Sequence, residues 1–373
     1  MFKPSLKSIW TLLVLALTSY GLYTWAYLSR TEVRQDFYEE KLAAARQMEH
    51  AMQVLKEWKA PNASFVDDVN DPWNTLLIGQ KFSQITTVEG SLLSKQGCLN
   101  PNVAAVVVDL MKQTGVKEGD RVAVCMTGSF PGLNLAVYSA CRVLKLEPVF
   151  ITSVSSSWFG ANDPEFTWLD MERVLKEKGI FPWVSSYASI GGADDRGQSL
   201  SPEGRELIRK AITRNGVPYL DAPDLDAAVQ MRIESFQNQI RNSPKGYDLY
   251  VNVGGGVASL GHEENRNIMP TGVARNVRQM EFQRRAVLHF FADAGVPVIN
   301  LLNVRPLLKR TGVPYAPLEK PEVGDGEIFV TERHDMKVVL FAVLVMTILV
   351  LIVIRYDLRM QRLVDTDQSD EML

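Results

Sequence analysis

Four short segments rich in glycine, serine and threonine follow apolar, β-favouring runs of this sequence. Hydroxyl groups and the backbone N–H groups of small residues can donate hydrogen bonds to an anion. The carboxyl ends of parallel strands meet at one edge of a sheet, so these segments are predicted to form one ligand site. The alternative is that they are ordinary turns, which use the same residue types. The candidate ligand-binding residues are Thr127, Gly128, Ser129, Asn134, Ser155, Ser156, Gly191, Gly192, Asn252, Gly254, Gly255 and Gly256.

Ser129 is also a candidate nucleophile. A serine hydroxyl needs a nearby base to become reactive, and histidine is a common one. Among the four histidines, His262 follows the triple glycine and is the candidate base, whereas His289 is predicted to be a packed helix residue. The residues around Ser129 do not form the GxSxG pattern of a nucleophile elbow, so any catalytic role rests on Ser129 and His262 alone.

No cofactor and no metal are predicted. The sequence lacks the GxxxxGK[ST] pattern of a P-loop, and the stretch VNVGGGVASLG is not the GxGxxG pattern of a dinucleotide site. Acidic residues cluster at Asp163, Glu165 and Asp170 and again at Asp194 and Asp195. Their spacing does not match an EF-hand, so they are interpreted as solvated acids of loops and helix starts.

The residue pattern of segment 121–144 predicts an apolar strand, a turn and a helix in succession. This unit positions the first of these loops. Strands and helices alternate through the rest of the central sequence, which is typical of βα units. We therefore expect an α/β fold with an open, mainly parallel, Rossmann-like sheet and helices on both faces. Strands are predicted over 122–126, 148–152, 183–190, 217–220, 247–253 and 296–302, and helices over 103–114, 132–144, 168–175, from 202, 225–241 and 273–292.

The predicted helix 273–292 carries arginines on one side. Arg275, Arg278 and Arg285 fall within one arc, opposite Val277 and Met280. This arc could bind carboxylates, or it could be a solvated helix face.

Two apolar runs near the ends of the chain are long enough to cross a membrane. The first is Ile9–Leu28 and the second is 338–354, and neither contains a charged residue. A membrane-spanning helix needs about 20 residues, with a lower limit of about 17. A cleaved signal peptide is the alternative for the first run. Cations flank the outer ends of both runs and favour the cytoplasm for both termini: Lys3, Lys7, Arg355, Arg359 and Arg362.

These runs divide the sequence into six parts. They are a cytoplasmic N-terminus (1–8), a transmembrane helix (9–28), a membrane-proximal helix (29–60), an extracytoplasmic α/β domain (61–336), a second transmembrane helix (337–354) and a cytoplasmic tail (355–373). The helix 29–60 is expected either to pack onto the domain or to form a coiled-coil stalk.

Charge and cysteine content exclude some classes of function. The formal net charge is −3, and no nucleic-acid-binding signature is present, so no nucleic-acid partner is expected. Cys98, Cys125 and Cys141 are interpreted as small core residues, with one disulfide as the alternative.

Five stretches of the chain resemble the poly-γ-glutamate system protein family. Members of this family are encoded together with the bacterial components that make and export poly-γ-glutamate, a capsule polymer. The stretches are ITTVEGSLLSKQGCLNPNVAAVVVDLMKQTGVKEGDRVAV, TGSFPGLNLAVYSA, SSSWFGANDPEFTWLDME, SIGGADDRG and YVNVGGGVASLG. With the two terminal anchors, the resemblance covers nearly the whole chain. It implies a membrane-bound accessory of polymer biosynthesis or export in the bacterial cytoplasmic (inner) membrane, with other synthesis and export subunits as partners. It assigns no catalytic residue.

The leading hypothesis is therefore a two-pass membrane protein whose extracytoplasmic domain handles the anionic polymer or another carboxylate ligand. One alternative is a hydrolase or transferase that acts on the polymer through Ser129, with His262 as base. Another is a sensor of small anionic ligands.

Overall fold

The computed structural model describes residues 4–62, 67–241, 243–261 and 264–370 of the 373-residue chain. The first half of the chain forms α1 (Ile9–Leu28), β1 (Arg30–Arg34), α2 (Tyr38–Lys59), β2 (Thr86–Val88), α3 (Leu92–Cys98), α4 (Val103–Gln113), β3 (Arg121–Thr127), α5 (Pro131–Val143), β4 (Glu147–Ser153), β5 (Ser156–Ser157), β6 (Asn162–Asp163), β7 (Phe166–Thr167) and α6 (Trp168–Glu177). The second half forms β8 (Tyr187–Ser189), α7 (Pro202–Arg214), α8 (Leu225–Gln239), β9 (Leu249–Val253), α9 (Val257–Leu260), α10 (Asn265–Ile268), β10 (Gly272–Ala274), α11 (Val287–Asp293), β11 (Val298–Leu301), α12 (Arg305–Arg310), β12 (Val330–His334) and α13 (Met336–Asp370). Short 3-10 turns lie at Ala60–Asn62, Ala193–Asp195 and Val277–Gln279.

Two compact units make up the chain. The terminal unit combines the described residues of Met1–Arg34 with those of Val330–Leu373, and the central unit is Gln35–Phe329.

Among the described residues, two helices are long and apolar enough to cross a membrane, and both belong to the terminal unit. They are Ile9–Leu28, with mean hydropathy 1.3, and Met336–Arg362, with mean hydropathy 3.1. The strands β1 and β12 pair in antiparallel fashion beside them. Trp25 contacts Phe341 near one end of α1, and the Leu6 N–H bonds Asp357 Oδ2 at 2.9 Å near the other. The two helices therefore pack side by side in antiparallel orientation.

Two boundaries in this part of the chain differ from the sequence prediction. The second apolar helix is longer than 337–354, because α13 continues through the polar residues that follow. The predicted helix 29–60 is wrong at its start, since Arg30–Arg34 is a strand and the helix begins at Tyr38. Pairing of β1 with a strand about three hundred residues later is a contact that local periodicity cannot reveal.

The central unit is a mixed α/β structure around a six-stranded sheet. The strand order is β10-β11-β9-β3-β4-β8, and all neighbours pair in parallel except β10 with β11. The mostly parallel sheet expected from the sequence is thus confirmed. The predicted strand at 217–220 forms only a single bridge, between Tyr219 and Ala188, in the described structure. The carboxyl ends of the parallel strands share one edge of the sheet.

Helices cover both faces of this sheet. Alternate strand residues point to opposite faces, so each strand contributes side chains to the packing on both. On one face, Cys125 and Tyr250 belong to a buried cluster with Phe236 of α8 and Phe291 of α11. On the other face, Phe150 of β4 stacks on Tyr138 of α5 with the ring centroids 4.0 Å apart. Cys98, Cys125 and Cys141 are all buried and unpaired, as expected for core residues.

The helix α2 packs onto the central unit, so the packing alternative for this segment is the correct one. Its small and apolar face, which includes Ala45, Met48 and Leu55, is fully buried, and it contacts α4 and α5. At the edge of this contact Lys41 Nζ lies 2.7 Å from Asp109 Oδ1.

The predicted helix 273–292 is wrong over residues 273–286. Residues Gly272–Ala274 form the edge strand β10, paired with β11, and a helix begins only at Val287. Asn276 has a positive φ of 60°, which interrupts any helix at this point. The arginine arc therefore does not exist, and Arg278 Nε instead donates to the Ala292 carbonyl at 2.6 Å.

Candidate functional site

A cavity of about 470 Å³ lies at the carboxyl edge of the sheet, within the central unit. Its charged lining residues, among those described, are Lys95, Arg266 and the exposed Glu89. Nine of its lining side chains carry a hydroxyl group, and we call it the hydroxyl cavity after them: Thr87, Ser91, Ser94, Thr127, Ser129, Ser153, Ser155, Ser157 and Ser199.

All four of the predicted loops contribute to this cavity. The loop after β3 brings Thr127 and Ser129, the loop after β4 brings Ser155, and the loops after β8 and β9 bring glycines. Six of the twelve candidate ligand-binding residues line the cavity: Thr127, Ser129, Ser155, Gly192, Gly255 and Gly256. Their roles toward a ligand remain predictions.

The other six candidates lie behind the cavity wall and hold the loops in place. Asn134 Nδ2 donates to the Thr127 carbonyl at 3.0 Å, and Asn252 Nδ2 donates to the Gly254 carbonyl at 2.8 Å. Ser156 Oγ donates to the Gly128 carbonyl at 3.1 Å. The residues of this group are Gly128, Asn134, Ser156, Gly191, Asn252 and Gly254, none of which lines the described cavity.

Two of the glycines behind the cavity wall are required by the close approach of neighbouring atoms. A Cβ atom on Gly128 would lie 2.5 Å from the Val154 carbonyl oxygen. A Cβ atom on Gly254 would lie 2.4 Å from Thr127 Oγ1, and Gly254 also has a φ of +87°. Both glycines bring neighbouring strand ends together, which makes the cavity edge compact.

Lys95 was not predicted as a site residue. It lies on α3, its side chain is 3% exposed, and its Nζ donates to Ser157 Oγ at 2.8 Å. It also donates to the Ser129 carbonyl and lies 3.5 Å from the centroid of the Phe130 ring. No carboxylate pairs with it among the described residues, and burial lowers the pKa of Lys95 from 10.5 to about 7.

A buried ion pair lies under the hydroxyl cavity. Arg232 NH1 and Asp195 Oδ2 are 2.7 Å apart, and both side chains are 2% exposed. Asp195 Oδ1 accepts hydrogen bonds from Ser153 Oγ at 3.0 Å and Ser189 Oγ at 2.9 Å. The network fixes the Ser153 hydroxyl at the cavity floor and joins the loops after β4 and β8.

Asp195 and Asp170 correct the interpretation of the acidic clusters as solvated loop residues. Asp195 is buried in the network just described. Asp170 is 1% exposed, accepts from the Thr167 backbone N–H at 2.8 Å, and pairs with Arg214. Both acids are placed by tertiary contacts with arginines distant in sequence, so their spacing gave no indication of burial.

The predicted catalytic pair of Ser129 and His262 stays a prediction, because the structure describes only one of its two members. Ser129 Oγ accepts a hydrogen bond from the Ser157 backbone N–H at 3.0 Å, and no basic side chain bonds this oxygen among the described residues. His262, the candidate base, lies outside the described residues. His289 is a packed helix residue, as predicted, and its Nδ1 accepts from the Ala286 N–H at 2.8 Å.

The hydroxyl cavity can bind an anion. Serine and threonine hydroxyls donate to carboxylate or phosphate oxygens, and Arg266 supplies a permanent positive charge beside the Gly255 carbonyl to which it donates at 2.7 Å. The described lining contains a single carboxylate, that of the exposed Glu89. No protein-family model, curated protein or solved structure matches the chain.

Proposed function

We propose that this chain is a membrane-anchored accessory protein of poly-γ-glutamate synthesis or export, and that its hydroxyl cavity takes a carboxylate-bearing segment of the polymer. The observation that supports this proposal is the lining of the cavity, in which the described residues include nine hydroxyl side chains, Arg266 and one exposed acid, Glu89. Each residue of a γ-linked glutamate chain carries a free carboxylate, which suits hydroxyl donors and a guanidinium.

The stretches that carry the family resemblance also contribute the cavity lining. The first stretch supplies Lys95, the second supplies Ser129, and the third supplies Ser157. The fourth supplies Gly192, and the fifth supplies Gly256. All five stretches thus contribute to one cavity, which supports the proposed role of this cavity in ligand binding.

The order of the strands favours a Rossmann-like sheet. The parallel strands appear along the sheet as the fifth, fourth, first, second and third in chain order, so the order reverses beside β3. This order is typical of Rossmann-like, doubly wound sheets, in which ligands lie at the reversal point. The hydroxyl cavity contains residues from the loops after β3 and β9, the two strands at that point.

The proposed topology is two-pass in the bacterial cytoplasmic membrane, with both termini in the cytoplasm and the central unit outside. Two observations support this topology. The helices α1 and α13 pack in antiparallel orientation, and the cations Arg355 and Arg359 follow the second apolar run. A fluorescent protein that folds only in the cytoplasm, fused after Leu373, should fluoresce, and externally added protease should cleave the central unit in spheroplasts. A dark fusion together with a protected central unit would contradict this orientation.

Binding by the full chain in detergent tests the ligand. Isothermal titration with a short γ-linked glutamate oligomer should give saturable binding, whereas the γ-linked glutamine analogue, which lacks the carboxylates, should not bind. Arg266→Gln should weaken the affinity by about tenfold, equivalent to about 1.4 kcal/mol. Arg209→Gln, which removes an arginine from a different surface paired with Glu206, is the matched control.

A genetic experiment tests the role in the cell. Deletion of the gene in a polymer-producing host should lower the amount, length or surface location of poly-γ-glutamate, and the Arg266→Gln gene should restore it less well than the Arg209→Gln gene. Unchanged polymer after deletion would refute the proposed function.

A further inference from the structure

Lys95 and Ser157 form a buried amine–hydroxyl pair in the wall of the hydroxyl cavity. Their Nζ and Oγ atoms are 2.8 Å apart, and the two residues are 3% and 5% exposed. The amine is fixed by two further contacts, with the Ser129 carbonyl and with the face of the Phe130 ring. This is a defined geometry rather than a flexible surface lysine that happens to lie near a serine.

The elements that carry the pair are anchored independently. Lys95 lies on α3, which begins at the Ser91 cap, where Ser91 Oγ accepts from the Ser94 N–H at 3.3 Å. Ser157 lies on β5, which pairs in parallel with β2. The Ser157 backbone N–H donates to Ser129 Oγ, so the turn after β3 also fixes the position of Ser157.

A serine hydroxyl becomes nucleophilic when a neighbouring group can accept its proton. A lysine does so only as a neutral amine, and the burial of Lys95 without a carboxylate partner among the described residues favours that form. Ser129, in contrast, has no basic side chain on its hydroxyl in the described structure. Among the described residues, the amine–hydroxyl pair at this cavity is therefore the one at Ser157.

Both members of the pair are accessible to a ligand. Lys95 and Ser157 both line the 470 Å³ cavity, so a carbonyl group that enters this cavity comes close to the Ser157 side chain. Arg266 lines the same cavity, so a carboxylate of the same molecule would lie near its guanidinium group.

We propose that Ser157 and Lys95 form the nucleophile and general base of an acyl-transfer centre that cleaves amide bonds in a carboxylate-bearing chain. The identity of that chain rests on the proposed function, but the pair itself does not. Ser157 Oγ forms a bond to the carbonyl carbon, and its proton passes to Lys95 Nζ. The C–N bond then breaks, and the departing amine takes this proton.

Water completes the cycle. It attacks the acyl group on Ser157 while Lys95 accepts one of its protons, and the C–O bond to the serine breaks as that proton returns to Oγ. The net reaction converts one amide and one water into one carboxylic acid and one amine. If an acceptor amine enters in place of water, the same centre transfers the chain instead of shortening it.

A fluorophosphonate probe tests the pair on the full chain in detergent. An activated serine forms an Oγ–P bond with the probe and releases fluoride, and peptide mass spectrometry locates the modified residue. We expect modification at Ser157, its loss in Ser157→Ala, and a reaction at least about 100-fold slower in Lys95→Met. Ser139→Ala, which removes a buried hydroxyl outside the cavity, should react like the natural chain.

Two further measurements keep the outcomes distinct. Circular dichroism and thermal unfolding of each variant show whether a lost reaction reflects lost folding, and titration with the γ-linked glutamate oligomer shows whether the cavity still binds. No modification of the natural chain, modification at another serine, or an equal rate in a folded Lys95→Met would overturn the pair. If the oligomer still binds in that case, the proposed function stands without the catalytic step.

Discussion

Replacement of Lys95 by methionine should change how the stability of this protein depends on pH. In the folded chain burial lowers the pKa of Lys95 to about 7, whereas its ordinary value is 10.5. Between these values the unfolded chain holds a proton that the folded chain has released, so the free energy of unfolding rises with pH across this window. Below about pH 7 both states are protonated, and the contribution is constant and unfavourable.

The size of the effect follows from these two pKa values. Each pH unit inside the window is worth about 1.4 kcal/mol, so raising the pH from about 7.5 to about 9.5 should stabilise the natural chain relative to Lys95→Met by about 2.5 kcal/mol. Other titratable or charged groups around the amine are Cys98, whose pKa burial raises to about 12 so that the thiol stays neutral, and the cavity residues Glu89 and Arg266. They are present in both proteins, so most of their own titration cancels in the difference.

Urea unfolding followed by tryptophan fluorescence at several pH values measures this difference. Lys210→Met removes one positive charge from an exposed helix position and is the control. A difference between the natural chain and Lys95→Met that stays constant from about pH 7.5 to 9.5 would refute the neutral amine on which the Ser157 chemistry depends. A difference that falls with pH would mean that the folded chain favours the charged form.

Two other substitutions test the cavity wall by the same unfolding assay. Asp195→Ala should cost about 3–5 kcal/mol because it leaves Arg232 charged and unpaired in the core, and adding Arg232→Met should recover much of that loss; additive losses would contradict a coupled pair. Gly254→Ala should cost about 1–3 kcal/mol more than Gly179→Ala, since both glycines have positive φ but only at Gly254 does the new Cβ meet another atom, Thr127 Oγ1; equal losses would contradict the close approach.

Local patterns predicted the parts of this fold that local forces determine. The strand, turn and helix at 121–144 and the start of a helix at Pro202 follow from local residue spacing and residue type, and the structure contains both. The prediction of a helix over 273–292 failed at its start because residues 272–274 pair with β11, which outweighs the helical spacing of the apolar residues. An amphipathic pattern is compatible with more than one structure until its partner is known.

The candidate site was predicted at the level of loops but not of side chains. Glycines and hydroxyls after strands indicated the correct edge of the sheet. Asn134 and Asn252 were expected at the ligand, but each instead satisfies a carbonyl behind the wall, a choice that depends on buried neighbours. Lys95 lies in a polar stretch with no motif, and only its enclosure by β5 and the turn after β3 makes it unusual.

The position of the polymer on the chain is best measured by photo-crosslinking. A short γ-linked glutamate oligomer carrying a diazirine is bound to the full chain in detergent, irradiated, and located by peptide mass spectrometry. We expect the label in the segments 87–95, 127–130, 153–157 and 255–257, and its displacement by unlabelled oligomer. Labelling outside the hydroxyl cavity, or labelling that the unlabelled oligomer does not displace, would contradict the proposed site.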